Sequence, residues 1–229
     1  MTTDKPLPIT KVMVWKAYQQ VKRNGHAAGV DGQSLDDFNR DLENNLYKLW
    51  NRMASGSYLP PAVRRVEIPK AGGGIRPLGI PTVADRIAQM VVKQVLEPGL
   101  ELIFDQDSYG YRPGKSAHQA VDVCRQRCWR ANWVLDLDIM GFFDAIDHDL
   151  LMRAIKAHAS ERWVVLYLQR WLQAPVLLPD GTLHPRDRGT PQGGVISPLL
   201  ANLFLHYAFD AWYPFRGRDV PSGTWAASP

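Results

Sequence analysis

The feature that most constrains this chain is the run VLDLDIMGFFDAIDHD at residues 134–149, in which acids are planted in an apolar stretch. Alternation with period two sets Asp136 and Asp138 on one face of an extended segment and Leu135, Leu137 and Ile139 on the other. The spacing predicts a β-strand that ends in a carboxylate and runs on into two aromatics and more acids. A carboxylate taken out of water needs a partner, and a metal ion is one such partner. A half-buried strand with solvated acids at its end is the competing reading, and a run this short does not separate the two.

Composition sets the limits. The chain has 229 residues, enough for one large domain or two small ones around a sizeable core. Lys and Arg total 27 against 23 acids, a net charge of +4 that permits a nucleic-acid partner without requiring one. Eight Trp and eight Tyr offer flat surfaces for stacking or for core filling. The two cysteines, Cys124 and Cys128, are too few for a zinc site or a disulfide framework, and they read as reduced structural thiols. No apolar run reaches the length of a membrane span, and the start MTTDKPLPITK lacks a secretory segment. A cytosolic protein with no membrane partner is the default expectation.

In chain order, residues 1–10 read as a flexible lead. Val12, Val14, Trp15, Tyr18 and Val21 make one apolar stripe of a helix over 11–22, stopped by Asn24-Gly25. Ser34 caps a second helix or helix pair that runs to about Met53. AVRRVEIPK and IRPLGI form two β-arms around the tip at residues 71–74, with Lys70 and Arg76 flanking it. A glycine tip between two cations suits closure on a polyphosphate, and an ordinary solvated hairpin is the alternative. Thr82 caps an apolar helix that Pro98-Gly99 should stop. The loop SYGYRPGKSAH interleaves aromatics with Arg112, Lys115 and His118, as a strand-binding surface would, or as a solvated loop before a helix over 116–130. Helices follow over 148–158 and 162–173, then a hairpin at Asp180-Gly181, a glycine-rich turn, and an apolar helix over 197–212. Residues 213–229 have no periodicity and read as a disordered tail.

Five blocks stand in one order: AAGVDG ending at Gly32, IPK with GGGIRPLGIPTVADR (68–86), SYGYRPGKSAH (108–118), LDLDIMGFFDAIDH (135–148) and GTPQGGVISPLLANLFLH (189–206). Together they closely resemble the reverse transcriptases encoded by bacterial group II introns, which also serve as splicing maturases. The resemblance covers roughly residues 10–212. It implies an α+β right-hand polymerase fold, with an N-terminal extension and fingers over 11–130. A partial palm over 131–212 follows, its helices packed on an incomplete, mostly antiparallel sheet. It implies RNA-directed DNA synthesis by two-metal nucleotidyl transfer, with an RNA template, a DNA primer and a dNTP as partners, in a cytoplasmic ribonucleoprotein. The cofactor implied is Mg²⁺, with Mn²⁺ as an alternative.

Residue by residue, Asp138 matches the family's first catalytic, metal-binding aspartate, with the carbonyl of Ile139 as a further ligand. Lys70 and Arg76 match the cations that hold the incoming triphosphate. Phe143 matches the aromatic that excludes a ribose 2′-hydroxyl, and Gln192 a residue near the nucleotide, with Gly193 allowing close backbone approach. Arg64, Arg112, Lys115 and Gly29 are expected near template or primer. Met140 departs from a lysine common in relatives. The larger departure is that the family's second catalytic block, an aromatic, one residue and two aspartates, does not occur after the helix ending near Trp212. The expectation is therefore a truncated or frameshifted chain with weak polymerase activity of its own, completed by a C-terminal polypeptide. A non-catalytic intron-RNA-binding fragment is the alternative function.

Overall fold

The computed structural model describes residues 6–23, 27–69 and 72–211. Lys70, the Asn24-Gly25 stop and the tail expected over 213–229 lie outside the described residues. The architecture is α+β. The helices are α1 (Lys11–Val21), α2 (Leu35–Arg40), α3 (Leu42–Ala54), α4 (Val83–Leu100), α5 (Ala117–Cys128), α6 (Phe142–Ala145), α7 (His148–His158), α8 (Arg162–Gln173) and α9 (Ser197–Leu205). The strands are β1 (Val63–Pro69), β2 (Ile75–Ile80), β3 (Val176–Leu177) and β4 (Leu183–His184), in the order β2-β1-β3-β4. The two outer pairs are antiparallel and β1 runs parallel to β3.

Local signals explain most of these elements. Thr10, Ser34 and Ser116 each accept a hydrogen bond from the backbone N–H three residues on, which starts α1, α2 and α5. Gly181 takes φ +87° at the tip of the β3–β4 hairpin. α4 is buried over most of its length, polar Asp85, Arg86 and Gln89 included, and it lies in the middle of the core with Val83, Ile87, Val91 and Leu100 fully buried. α1, α3, α7, α8 and α9 pack around it.

Four expectations need correction. α4 does not stop at Pro98-Gly99 but runs through Pro98 to Leu100. Proline forfeits one hydrogen bond there, and burial of Leu96 and Leu100 holds the exposed Pro98 turn in place. The strand over 134–139 is an extended segment with no paired neighbour among the described residues. Leu135, Leu137 and Ile139, which alternation assigns to a core face, are 78%, 66% and 53% exposed. Strand formation requires a second strand, which period alone does not supply. The helix over 197–212 is α-helical only to Leu205 and continues as one π-turn, residues 206–210. Cys124 and Cys128 are free, as expected, yet both are exposed, on a helix with no buried residue.

Candidate active site

Three stretches separated in sequence meet at a cleft of about 540 Å³. β2 brings Arg76, the extended segment brings Asp138 and Ile139, α6 brings Phe143 and Asp144, and the turn before α9 brings Gln192. Gly141 makes the junction between the extended segment and α6. It takes φ +63°, a left-handed conformation that glycine adopts without strain, and its carbonyl accepts from the N–H of Asp144 and of Ala145. The Phe143 ring stands edge-on to Phe142 at 5.8 Å, half-buried, so one side of it remains available to the cleft.

The turn 189–196 is stitched to three elements. Gly79 in β2 donates its N–H to the Gln192 carbonyl at 2.7 Å. A side chain at Gly193 would meet the Gly79 carbonyl oxygen at 2.7 Å, so this glycine permits the approach of turn to strand. Thr190 donates its N–H to the Phe143 carbonyl, and Gly189 donates to that of Ile146. On the third side, the Gln89 side-chain carbonyl in α4 accepts from the N–H groups of Val195 and Ile196 at 2.9 and 3.3 Å.

Gln89 is itself held by a fully buried carboxylate. Asp85 accepts hydrogen bonds from Tyr58 Oη at 2.8 Å, Trp171 Nε1 at 2.6 Å and Gln89 Nε2 at 3.0 Å. Burial pushes the Asp85 carboxyl up to about 6, and the three donors act against that rise. In the sequence Asp85 is no more than an acid in the first turn of a helix. Only the fold reveals that residues from three elements converge on it.

The other expected site residues lie elsewhere. Arg64 donates to the Ala28 carbonyl at 2.6 Å, and Arg86 donates to that of Ala27, so both hold the AAGVDG loop. Gly29 lies against Thr82, whose Cα a side chain would meet at 2.6 Å. Arg112 pairs with Glu101 at 3.0 Å, donates to the carbonyls of Asp105 and Ser108, and is nearly buried. Lys115 donates to the Gln106 carbonyl at 2.6 Å and stands 4.8 Å from the centre of the Tyr109 ring. These groups are engaged in holding their loops and do not line the cleft with Asp138.

A group of cations went unnoticed in the sequence. A second hollow of about 410 Å³ shares Pro77, Asp144 and Gln192 with the first and is lined by Arg65, His184, Arg186 and Arg188. Burial pulls the Arg186 guanidinium down from its ordinary value, and the charge on Asp144 acts against that shift. Arg186 Nη1 is buried with no hydrogen-bond partner. The alternating cations in HPRDR (184–188) are the signal in the sequence, divided there between the end of a hairpin and the start of a glycine-rich turn.

Among the described residues, no three His, Cys, Asp or Glu side chains gather into a ligand cluster. The donors lining the cleft are Asp138, Asp144 and Ile139. Mg²⁺ keeps several waters and is commonly held by one or two carboxylates plus substrate phosphates. This donor set fits an ion that arrives with a triphosphate. It does not fit an ion caged by protein alone.

Comparison with known proteins gives the family. Residues 68–218 match the family described as Reverse transcriptase (RNA-dependent DNA polymerase). Protein YkfC of Escherichia coli (strain K12) is 36% identical over 189 residues, which are 80% of this chain and 49% of that protein. Group II intron-encoded protein LtrA of Lactococcus lactis subsp. cremoris is 36% identical over 193 residues, 83% of this chain and 32% of that one. The chain thus spans between a third and a half of the length of these relatives. Among solved structures, a chain of a "Partial Cas6-RT-Cas1--Cas2 complex" matches with a TM-score of 0.57 and 27% identity, over 89% of this chain and 34% of the other. The chain belongs to the reverse transcriptase (RNA-dependent DNA polymerase) family, and its relatives place it with the group II intron reverse transcriptases and maturases.

Proposed function

We propose that this chain carries the nucleotide-binding part of an RNA-directed DNA polymerase and contributes Asp138 to nucleotidyl transfer from a dNTP to a primer 3′-hydroxyl. The observation that carries the reading is the convergence of Arg76, Asp138, Phe143 and Gln192, from three separate sequence blocks, on one cleft. Arg76 pairs with the triphosphate, joined by Lys70. Phe143 lies below the sugar and excludes a 2′-hydroxyl by contact. Gln192 touches the base-paired nucleotide, on a turn fixed by Gln89. Asp138 and Asp144, with the Ile139 carbonyl, would hold a divalent ion, Mg²⁺ or Mn²⁺, when one is bound. That ion supplies activation of the primer hydroxyl and neutralisation of phosphate charge.

Arg65, Arg186 and Arg188 extend the cleft into a basic hollow that suits the backbone of the RNA template or the primer. Arg64, Arg112, Lys115, Gly29 and Gly193 support strand binding by fixing the loops that face it. The extended segment 134–139 carries Asp138 with its apolar residues uncovered. A strand bearing the second aspartate block pairs with it and completes the site.

The test is primer extension on an RNA template with Mg²⁺ and dNTPs. The chain alone should extend little. Adding a polypeptide with the second aspartate block should restore synthesis that Asp138→Ala abolishes. Synthesis indifferent to Asp138→Ala would overturn the proposal. The basic hollow also favours a second reading, an RNA-binding fragment without chemistry. That reading requires salt-dependent RNA binding that survives Asp138→Ala, with no synthesis under either condition.

A further inference from the structure

α1 and α3 enclose a separate cleft of about 600 Å³ that shares no lining residue with the catalytic one. Trp15 comes from α1 and Tyr47 and Trp50 from α3, with Lys11, Asp41 and Glu43 beside them. Helical spacing produces the arrangement. Lys11 and Trp15 are four apart on α1, and Glu43, Tyr47 and Trp50 make one stripe on α3. Aromatics at helical spacing usually face a core. Here the core-facing stripes are other residues, Val14 and Tyr18 on α1 and Leu49 and Met53 on α3. Trp15 and Tyr47 point outward and are 45% and 52% exposed. Trp50 donates its indole N–H to the Ile9 carbonyl at 2.8 Å, which fixes the ring with its polar edge satisfied. The volume falls within the range of small-ligand pockets.

Charge selects the ligand. Exposed aromatics beside carboxylates could form a cage for a cation. In this cleft the cation's place is taken, because the Lys11 ammonium stands 4.8 Å from the centre of the Trp50 ring and 5.3 Å from that of Tyr47. What remains is room for a flat, uncharged ring beside the ammonium. Asp41 and Glu43 only accept hydrogen bonds when ionised, so they call for a ring edge rich in N–H donors. Among the common nucleobases, guanine presents two neighbouring donors on its Watson–Crick edge. Unpaired bases are recognised in this way, by stacking on aromatics with hydrogen bonds to that edge. We infer that the α1–α3 cleft binds an unpaired guanine of a single-stranded nucleic acid. The base stacks on the exposed aromatics, its donors face Glu43 and Asp41, and a flanking phosphate pairs with Lys11.

The test is fluorescence anisotropy of labelled RNA hexamers, UUUGUU against UUUAUU, titrated with the full chain at fixed salt. The wild type should bind the guanine hexamer at least about tenfold more tightly, the lower end of the contribution of one hydrogen bond to a charged acceptor. Tyr47→Ala should weaken both hexamers at least about fivefold, the lower end of the stacking contribution of one base. Glu43→Gln should erase the preference and leave the adenine hexamer within twofold of wild type. Both positions are exposed on α3, so the variants should keep the wild-type far-ultraviolet circular dichroism. Equal binding of the two hexamers by the wild type, no binding of either, a guanine preference that survives Glu43→Gln, or hexamer binding that Tyr47→Ala leaves unchanged would overturn the inference.

Discussion

Asp85 shows how much one buried carboxylate can set. Its pKa in the folded chain is about 6, against an ordinary value near 3.8, because burial disfavours its charge more than three donors favour it. Between those two values the folded state holds more protons than the unfolded one. Asp85's contribution to stability is therefore fully present below about pH 4 and is lost as pH rises through about 6, a fall of roughly 3 kcal/mol. Urea unfolding at pH 4, 5, 6 and 7 should show the wild type losing this stability relative to Asp85→Asn, whose curve lacks the step. At the cleft, Arg76→Ala removes the charge-assisted contact proposed for the triphosphate. It should weaken dNTP binding about tenfold or more, by titration calorimetry.

At the scale of elements, the part of the fold that could be read from sequence is the part that local forces decide. α1, α2 and α5 carry their caps in the sequence, α4 and α8 carry an unbroken apolar pattern, and the β1–β2 and β3–β4 hairpins carry glycine tips. What could not be read depends on partners distant in sequence. The segment 134–139 has strand periodicity but no described strand beside it. Pro98 marks a helix end by its own chemistry, and burial of Leu100 overrules it. The cleft was half legible. Asp138, Phe143, Arg76 and Gln192 stood in recognisable blocks, while the basic hollow and the Asp85–Gln89 support could not be inferred without the fold. Gln89→Leu tests that support. It leaves the N–H groups of Val195 and Ile196 without their acceptor, and should cost about 1–3 kcal/mol in urea unfolding and weaken dNTP binding together with stability.

For the whole molecule, the dominant feature is an unequal distribution of cover. The core around α4 is dense, whereas α5 has no buried residue and the segment after it is open. Trp133, Leu135, Leu137 and Met140 are 91%, 78%, 66% and 94% exposed. An apolar surface of this kind marks a place where another polypeptide sits, or a route to aggregation. The isolated chain should self-associate at micromolar concentration by light scattering. Leu135→Lys with Leu137→Lys should suppress this while shifting stability by no more than about 0.5 kcal/mol, since both positions are exposed.

The central claim is that the cleft joining β2, the 138–144 segment and the 189–196 turn holds a deoxynucleoside triphosphate. Calorimetric titration of dTTP with Mg²⁺ tests it most directly. Saturable one-to-one binding is expected, weakened by Arg76→Ala and by Asp138→Asn, with dUTP binding more tightly than UTP until Phe143 is replaced by Ala. No saturable binding, or binding of equal strength in the wild type, Arg76→Ala and Asp138→Asn, would contradict it.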